Sequence, residues 1–385
     1  MRAEDQQNTE WVIETASGCA GAYAGRQLAE AGQPVLRIEP EDGGAMRQLP
    51  PFDDRGMSIP YLSLNGRKQV IRIDMSDDRG SRLFADLVAR SSVFITDTPR
   101  HFPARSRRVT CHIHPSPVCF AGDLPSTDIL VQAARGALSM TGPLSGPPSP
   151  IGIPVGDIAP GLFAAIGILH GLLEDTPQAI EVHALDATIA LLSYLGCSYL
   201  VGGGEMGFVG TGHPYVTPYG AYRAKDGHII VAPGFTHVFW QNLCRMLGRP
   251  DLIDDPRFGT LTSRKKHRDA LQEILDAAFM QDTVESWERR LNEADVPNGR
   301  VQRIRQAIEH PVMEHRNMVT TVEGRRFFNS PLIQNAPGAR SDGRTAQAGN
   351  GWRDMLAGLG VPFHDIAGLE SAKVITPVYP TATAA

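Results

Sequence analysis

The chain has 385 residues, enough to bury a substantial core, and this length favours two domains over one. Hydrophobic residues make up 42% of the chain and charged residues 21%, as in ordinary globular proteins. The net charge of −5 provides no basic surface of the kind that nucleic acid requires, so we expect no nucleic-acid partner and only a small anionic ligand.

Neither the cysteines nor the N-terminus indicates a secreted or membrane protein. The five cysteines are odd in number and form no CxxC pair, which predicts neither a disulfide framework nor a zinc site, and we expect no bound metal. The first residues, MRAEDQQNTEW, are too polar for a secretory signal, and no apolar run approaches the roughly 18–20 residues that span a bilayer. We therefore expect a cytoplasmic protein without a membrane partner.

The predicted elements begin with two strand-helix-strand units. In residues 11–39 the strands are WVIE and PVLRIE, and the helix is AYAGRQLAEAG. In residues 69–96 the strands are QVIRIDM and SVFIT, with the helix DDRGSRLFADLVARS between them. Strands and helices that alternate at this spacing predict an α/β fold with a parallel sheet and right-handed crossovers.

The middle of the chain continues this alternation less regularly. A stretch rich in Pro, Arg and His covers residues 99–127 and precedes a predicted helix, DILVQAARGALSMTG. Another helix is predicted within VGDIAPGLFAAIGILHGLL, and AIEVHALDATIALLSYLGCSYLVGG is expected to form a strand and then a helix. Residues 202–218 are rich in glycine and contain two prolines, which is typical of a loop or linker.

A second module is predicted over residues 219–300. YGAYRAKDGHIIVAP has the pattern of a hairpin with a Lys-Asp-Gly turn, and three helical stretches follow it. Apolar residues at helical spacing in HRDALQEILDAAFM predict one buried stripe, made of Leu271, Ile274, Leu275, Ala278 and Phe279. Beyond this module the chain is predicted to be irregular to about residue 345 and to close with a helical segment.

Two glycine clusters have a spacing close to that of nucleotide-binding loops. Gly18, Gly21 and Gly25 lie between a predicted strand and helix, and Glu39 ends the next strand about twenty residues on. This GxxGxxxG spacing leaves two interpretations open, binding of a nucleotide moiety or close packing of the helix on the strand. The GxGxxG of GGGEMG, which begins at residue 202, has no helix behind it and is interpreted as a mobile flap or a plain linker.

One carboxylate, Asp157, stands directly in front of an apolar run, GLFAAIGILHGLL. As an N-cap it would meet Pro160 at the third helical position, and proline has no N–H to donate. If the helix instead begins at Pro160, the cap is Ala159 and Asp157 lies outside the helix. A capping role for Asp157 is therefore weakened. The alternative is a reactive carboxylate, which the positive helix end would keep ionised and the apolar surroundings would strip of water. Such a carboxylate would be a nucleophile toward an activated acyl group.

Four segments together resemble the class III CoA-transferases, the superfamily that includes formyl-CoA:oxalate and carnitine CoA-transferases and α-methylacyl-CoA racemases. They are GRKQVIRIDMSDDRGSRLFADLVARSSVFI, VGDIAPGLFAAIGILHGLL, PYGAYRAKDGHIIVAP and LGRPDLIDDPRFGTLTSRKKHRDALQEIL. The likeness runs from about residue 11 to residue 370. It implies a Rossmann-like large domain built from both chain ends, a smaller α+β domain on two linkers, and an interlocked homodimer.

The resemblance also implies limits for these domains. The large domain would take its N-terminal part from residues 1–195 and its C-terminal part from residues 346–385. Residues 196–218 would form a linker with a glycine loop, residues 219–300 the small domain, and residues 301–345 the return linker.

The resemblance implies that Asp157, which falls on the family's Gly-Asp motif, is the covalent catalyst of a CoA-transferase. The carboxylate would attack an acyl-CoA thioester, give a mixed anhydride and a CoA thiolate, and then become an aspartyl-CoA thioester as the donor acid leaves. The acceptor acid would reverse these steps. Acyl-CoA is a substrate in this scheme, and no permanently bound cofactor is expected.

Other positions fall where the family contacts CoA or covers the active site. The first glycine turn corresponds to Cys19, Ala20 and Gly21, an adenine contact to Ile73 and the pantetheine path to Asp97. A phosphate-binding arginine corresponds to Arg105. Family members often have a basic residue where this chain has Pro40, so Arg37 or Arg47 is expected to compensate. The loop that covers the active-site carboxylate corresponds to Gly202, Gly203 and Gly204.

Three alternatives to an active transferase stay open. The racemases place a catalytic histidine immediately before the aspartate that corresponds to Asp128, and this chain has Thr127 there, so a two-base racemase or isomerase is disfavoured. Departures from the family around the CoA site leave room for a non-catalytic CoA-binding subunit of a hetero-oligomer. The first glycine cluster and Glu39 alone would also suit an NAD-dependent oxidoreductase.

Overall fold

A computed structural model describes residues 10–98, 106–114, 127–143, 146–202, 204, 207–322, 324–332 and 351–378. The chain divides into two compact units. The large unit comprises the described residues within Met1–Arg135, Gly152–Ser193 and Met313–Ala385, and the small unit those within Gly136–Ile151 and Tyr194–Val312. The domain limits implied by the family resemblance stay a prediction.

The large unit is built on a mostly parallel sheet of seven strands. Its strands are β1 (Val12–Glu14), β2 (Val35–Glu39), β3 (Gln69–Ile73), β4 (Val93–Thr96), β5 (Val109–His114), β6 (Gln178–His183) and, numbered last in the chain, β12 (Ile375–Pro377). Their order is β12-β3-β2-β1-β4-β5-β6, and only the edge strand β12 runs antiparallel to its neighbour. The strand order reverses between β1 and β4, which is the point where open α/β sheets form a crevice at the carboxyl ends of their strands.

Helices cover both faces of this sheet. The helices that lie within this unit are α1 (Cys19–Glu30), α2 (Ile59–Asn65), α3 (Asp78–Arg90), α4 (Asp128–Ala134), α5 (Val155–Gly171), α6 (Ala184–Ala190), α15 (Gly351–Gly358) and α16 (Phe363–Ser371). On one face, apolar residues of α3, α15 and α16 pack against the sheet in one core cluster. On the other face, α1 and α5 pack against β1, β4 and β5 through residues such as Leu28 and Ile168.

Three glycines let backbones approach closely on the α1 and α5 side. A Cβ at Gly21 would lie 2.1 Å from the Cβ of Ala16, and one at Gly25 would lie 2.0 Å from Oε2 of Glu14. A Cβ at Gly161 of α5 would lie 2.6 Å from the carbonyl oxygen of Ala20 in α1. Side chains at these positions would force the helices away from the sheet and from each other. Close packing therefore explains Gly21 and Gly25, one of the two interpretations of the first glycine cluster.

The small unit contains an antiparallel sheet and a helical layer. Its strands are β7 (Gly220–Arg223), β8 (His228–Val231) and β9 (Asn298–Arg300), and its helices are α8 (His237–Met246), α9 (Asp251–Asp254), α10 (Leu261–Lys266), α11 (Arg268–Phe279), α12 (Val284–Glu293) and α13 (Ile304–Ile308). Helix α7 (Ser193–Gly202) begins at one boundary of the two units along the chain, and α14 (Pro311–His315) crosses the other boundary, between Val312 and Met313. The predicted hairpin is confirmed as β7 and β8, and the core contains Leu271, Leu275 and Phe279 of the predicted stripe.

Several sequence expectations were wrong or incomplete. Strand β5 lies inside the stretch that was described only as rich in Pro, Arg and His. The segment expected to be irregular contains α13, α14 and a hairpin of β10 (Val319–Val322) and β11 (Arg325–Phe328). The chain also closes with strand β12, beyond the predicted helical segment.

Length and hydropathy together decide whether a helix could cross a bilayer. Among the described residues, no single helix is both long and apolar enough to cross a bilayer. The bent pair of α6 and α7 passes on length and composition alone.

Candidate active site

The crevice of the large sheet lies where β1 and β4 end. After β4, the carboxylate of Asp97 accepts hydrogen bonds from the backbone N–H of Ser17 (2.9 Å), the hydroxyl of Ser17 (3.0 Å) and the backbone N–H of Gly18 (2.7 Å). Gly18 is the residue before α1, so Asp97 satisfies N–H groups at the start of that helix. This pairing fixes the turn between β1 and α1 against the end of β4.

Helix α5 presents Asp157 to the N-terminus of α1. The helix begins at Val155, so Asp157 is its third residue, and both starts considered from the sequence were wrong. Asp157 is not the cap, in line with the weakened capping role inferred from Pro160: Pro154 precedes the helix, and Pro160 lies inside it. Because residues four apart share a helix face, Asp157 lies on the same side as Gly161, which touches α1.

The start of α5 is held by a carboxylate from another helix. Asp128, the first residue of α4, accepts a hydrogen bond from the backbone N–H of Gly156 at 2.7 Å and a second from Nε2 of Gln132 at 2.8 Å. Asp128 thereby satisfies a free N–H of α5, a task usually performed by an N-cap side chain. Asp157 is left with no side-chain hydrogen bond to any described residue.

The ionisation of Asp157 differs from the sequence expectation. Burial, and then the negative charge of Asp128, raise the pKa of Asp157 to about 6. The positive end of α5 was expected to keep this carboxylate ionised. Burial and the charge of Asp128 both favour the protonated form, and together they outweigh the effect of the helix end. At neutral pH the side chain is nevertheless mostly a carboxylate. A half-buried carboxylate without a hydrogen-bond partner retains its lone pairs for reaction, which suits a nucleophile.

Cys19, the first residue of α1, lies close enough for the charge of Asp157 to act on it. Burial, and then Asp157, raise the pKa of the Cys19 thiol to about 11. The thiol is therefore protonated at neutral pH and is a poor nucleophile itself. The structure thus brings together Asp157 and Cys19, which the sequence placed in the site for different reasons.

A buried ion network lies beneath the turn that precedes α1. Glu14, at the end of β1, pairs with Arg37 and with Nζ of Lys68, the latter at 2.6 Å. Lys68 also donates to the carbonyl of Ala22 (2.7 Å) and to Oδ1 of Asn65 (2.8 Å). Arg37 donates in addition to the carbonyl of Ala16 at 2.9 Å. The network therefore ties β1, β2 and the residue that precedes β3 to the base of α1.

Arg37 and Glu39 are both occupied within this network. Nε of Arg37 lies 3.3 Å from Glu39, which also accepts from Nε of Arg47 (2.8 Å) and from the hydroxyl of Tyr61 (2.7 Å). Arg37 and Glu39 are only 3% and 2% exposed. A phosphate contact by Arg37, or a ribose contact by Glu39, would require either residue to leave a fully paired buried site. The geometry supports a structural role for both.

The other residues that the sequence assigned to CoA binding or to the active-site loop lie in different surroundings. Ile73 is buried in the core at the end of β3, so a contact between its side chain and adenine is not supported. Arg47 is partly buried and contacts the ring of Tyr61. Ala20 faces Gly161 across the contact between α1 and α5. Arg105 and Gly203 lie outside the described residues, and Gly202 and Gly204 have open space around their Cα atoms.

Sequence reasoning missed two parts of the site. Asp128 was considered only as the partner of a missing histidine, although a carboxylate at the start of a short helix could have suggested a second capping role. Glu14 carried a clearer signal, because a charged residue inside a buried strand requires a buried partner. Lys68 could not be identified as that partner without the tertiary structure.

Comparisons with known proteins point to one family. A model of CoA-transferase family III matches residues 11–106 and 121–348. Succinyl-CoA:glutarate CoA-transferase of Homo sapiens is 28% identical over 331 residues, which cover 81% of this chain and 75% of that protein. Succinyl-CoA:mesaconate CoA-transferase of Haloarcula hispanica is 28% identical over 338 residues, covering 81% and 84%.

The fold is also similar to that of solved structures. A crystal structure of a CaiB/BaiF family protein from Brucella suis matches with a TM-score of 0.74 at 24% sequence identity, over 84% of this chain and 91% of that one. This likeness concerns the fold alone, whereas the family model spans most of the sequence. On the strength of that match, the protein belongs to CoA-transferase family III.

Proposed function

We propose that the protein is a CoA-transferase that moves CoA from an acyl-CoA thioester to a carboxylic acid, with Asp157 as the nucleophile. The observation that carries this proposal is the setting of Asp157: half-buried, without a side-chain hydrogen bond to the described residues, and close to the turn where β1 meets α1. Related proteins named as CoA-transferases along most of the chain support the same reaction class.

The proposed reaction has four acyl transfers. The carboxylate of Asp157 attacks the thioester carbonyl of the donor and expels the CoA thiolate, which leaves a mixed anhydride. The thiolate then attacks the aspartyl carbonyl, so that the donor acid leaves and an aspartyl-CoA thioester forms. The acceptor carboxylate attacks this thioester, giving a second anhydride and free thiolate. Attack of the thiolate on the acceptor carbonyl releases the new acyl-CoA and restores Asp157.

The start of α1 is the proposed approach of the CoA thioester to Asp157. Cys19 and Asp97 lie at this turn, and the neutral thiol of Cys19 adds no charge beside the reacting carboxylate. CoA enters and leaves as a substrate, and no permanently bound cofactor is part of the proposal. The assignments of Ala20 and Gly21 as CoA contacts, of Arg47 as a phosphate contact and of Gly202 and Gly204 as an active-site loop remain part of the proposal.

The proposed acids are short dicarboxylates. The related enzymes are named for transfer involving glutarate, mesaconate and oxalate, and two of these three use succinyl-CoA. We therefore place succinyl-CoA first among donors.

A cytoplasmic location stays a prediction.

The racemase alternative has less support than transfer. Thr127 stands immediately before α4, where a second catalytic base would be needed. Glu39 no longer supports an NAD-dependent reaction, because it is buried and paired with Arg37, Arg47 and Tyr61. A non-catalytic subunit is distinguished from an active enzyme only by assay.

We also propose that the protein forms a homodimer. Helix α5 carries an exposed apolar face, made of Leu162, Phe163, Ile166 and Leu169, with Leu173 directly beyond its end. Ile166 is 61% exposed and Leu173, seven positions further on, is 81% exposed, which is unusual for members of one apolar patch unless a partner covers them. Sedimentation equilibrium should give twice the chain mass, and a purely monomeric species at micromolar concentration would contradict this assembly.

The function is tested by a screen of the purified chain with succinyl-CoA and a panel of dicarboxylic acids. We expect the new acyl-CoA to form without any added protein. Hydroxylamine added during turnover should convert the activated aspartate into a hydroxamate, and peptide mass analysis should locate it at Asp157. Binding of CoA without transfer to any acid would instead support the non-catalytic subunit.

The pH dependence of transfer tests the state of Asp157. Because the nucleophile must be ionised, kcat/KM should fall as the pH drops through about 6, the pKa of this group in the folded protein. Asp128→Asn removes the neighbouring negative charge but keeps an oxygen acceptor for Gly156, so the inflection should move to lower pH. Asp86→Asn, which changes an exposed carboxylate 3.9 Å from Arg90, should leave it in place. An inflection that is the same in all three proteins would contradict the assignment.

A further inference from the structure

Four side chains that the proposed reaction does not use lie on one face of the sheet at its β6 edge. His112 and His114 belong to β5, and Glu181 and His183 belong to β6. In the parallel pairing His112 stands opposite Glu181, and His114 opposite His183, so alternation places all four on the same face. The intervening residues Cys111 and Ile113 point to the other face, into the core with α1 and α5.

The side chains approach one another around a common point. The rings of His114 and His183 are stacked, with centroids 4.4 Å apart and an interplanar angle of 12°. Nε2 of His114 lies 3.9 Å from Oε2 of Glu181, and Nε2 of His183 lies 4.0 Å from the same oxygen. One ligand atom from each of the three residues lies within 4.8 Å of the others. The ring of His112 is next, with its centroid 5.3 Å from that of His114.

These distances are too long for hydrogen bonds and are nearer to those around a shared ion. A hydrogen bond from an imidazole nitrogen to a carboxylate spans roughly 2.7–3.2 Å. Two ligands bound to one tetrahedral zinc ion at about 2.1 Å each lie about 3.4 Å apart. Both nitrogen-to-oxygen separations are longer than this by about half an ångström, so binding of an ion requires the side chains to close in and the stacked rings to turn toward it.

One of these ligand nitrogens also needs a partner. Nε2 of His114, which faces Glu181, is buried and has no hydrogen-bond partner among the described residues. Buried polar atoms are rarely left in this state, because the lost hydration is not replaced.

We infer that His114, His183 and Glu181 form a binding site for a divalent transition-metal ion of the zinc class. Two imidazoles and one carboxylate are a ligand set that zinc accepts, with the fourth position left to water, whereas magnesium and calcium prefer oxygen ligands alone. The ion would connect the edge strand β6 to β5. This inference departs from the expectation from sequence of no metal, which rested on the absence of a ligand motif in the linear sequence.

Titration calorimetry with zinc chloride tests the site on the full chain, free of any purification tag and previously treated with chelator. We expect one ion per chain and binding at least about tenfold weaker in each of His114→Ala, His183→Ala and Glu181→Gln. His170→Ala is the matched control, because His170 lies 3.8 Å from Glu174 without a second imidazole in the pair. Its affinity should equal that of the unchanged protein.

A second measurement keeps the test valid if a histidine variant folds poorly. Cobalt(II) bound to the unchanged protein should give the visible absorption of a four-coordinate ion, and an equivalent of zinc should remove it. Zinc should also raise the melting temperature of the unchanged protein and of His170→Ala, and raise that of His183→Ala by less at the same zinc concentration. An absence of binding, or binding that is equal in all the variants, would overturn the site. Neither readout depends on CoA transfer, so the outcome is independent of the proposed reaction.

Discussion

Asp157→Asn is expected to lower the rate of CoA transfer by about four orders of magnitude or more, because an amide cannot replace a carboxylate as the attacking group. The substitution keeps the size of the side chain. Since the carboxylate of Asp157 has no side-chain hydrogen bond to the described residues, its loss removes no contact that holds the fold. Transfer assays with the substrate pair found by the screen measure this effect.

The same variant should be more stable than the unchanged protein at pH 8. The pKa of Asp157 is raised to about 6 in the folded state, from an ordinary value of 3.8. Its protonated form therefore favours the folded state below pH 3.8, and that contribution is lost as the pH rises through about 6. Asparagine does not ionise and keeps its contribution. The difference in melting temperature should accordingly be larger at pH 8 than at pH 5.

Asp186→Asn is the control for both results. Asp186 is the third residue of α6, the same helical position that Asp157 has in α5, but it is exposed. Its substitution should leave transfer unchanged. Asp157→Asn protein that transfers CoA within tenfold of the normal rate would exclude the covalent role, and a fall in its stability at pH 8 would show that the carboxylate serves the fold instead.

Glu14→Gln is expected to reduce the free energy of unfolding by about 3–5 kcal/mol, the typical cost of removing one partner from a buried ion pair. The network contains two acids, Glu14 and Glu39, and three bases, Arg37, Lys68 and Arg47. Removing Glu14 leaves one acid for three bases. Burial lowers the pKa of Lys68 to about 8, so its ammonium group is still charged at pH 7. Urea unfolding at that pH measures the loss.

A second substitution tests whether Glu14 and Lys68 act as a pair within the network. Lys68→Met alone leaves two acids and two bases, so it should cost less than Glu14→Gln. The double variant should recover part of the stability that Glu14→Gln loses, since the ammonium group without its partner is gone. Glu10→Gln, which breaks the more exposed pair with Arg108, should cost no more than about 1 kcal/mol. Strictly additive losses would mean that Glu14 and Lys68 do not act as a pair.

Local patterns predicted the parts of the fold in which neighbours along the chain suffice. The units β1-α1-β2 and β3-α3-β4 alternate clearly, and the structure confirms both. Strand β5 has the alternation of a strand in VTCHIH, but its polar residues were grouped with the prolines and arginines around it. Strand β12 has only three residues and is stabilised by its antiparallel pairing with β3, a contact that no local pattern reveals.

The candidate site likewise contains residues that the local sequence could predict and properties that it could not. Asp157 could be proposed from the sequence because Pro160 conflicts with capping and because the surrounding motif resembles a known family. Its raised pKa could not be predicted, since it depends on burial and on Asp128, which lies 29 positions earlier in the chain. The pairing of Glu14 with Lys68 and the approach of His114 to His183 likewise arise only when separate strands meet in the sheet.

The contribution of α15, α16 and β12 to the large unit has a consequence for synthesis on the ribosome. Trp352, Leu356 and Ile366 belong to the core cluster that contains Ile13 and Leu87. One face of the sheet therefore remains partly uncovered, and one edge unpaired, until almost the whole chain has been translated. The small unit, whose residues all precede Met313, has no such delay. A nascent chain would thus carry a finished small unit beside an incomplete large one, and it is the large one that needs protection from aggregation.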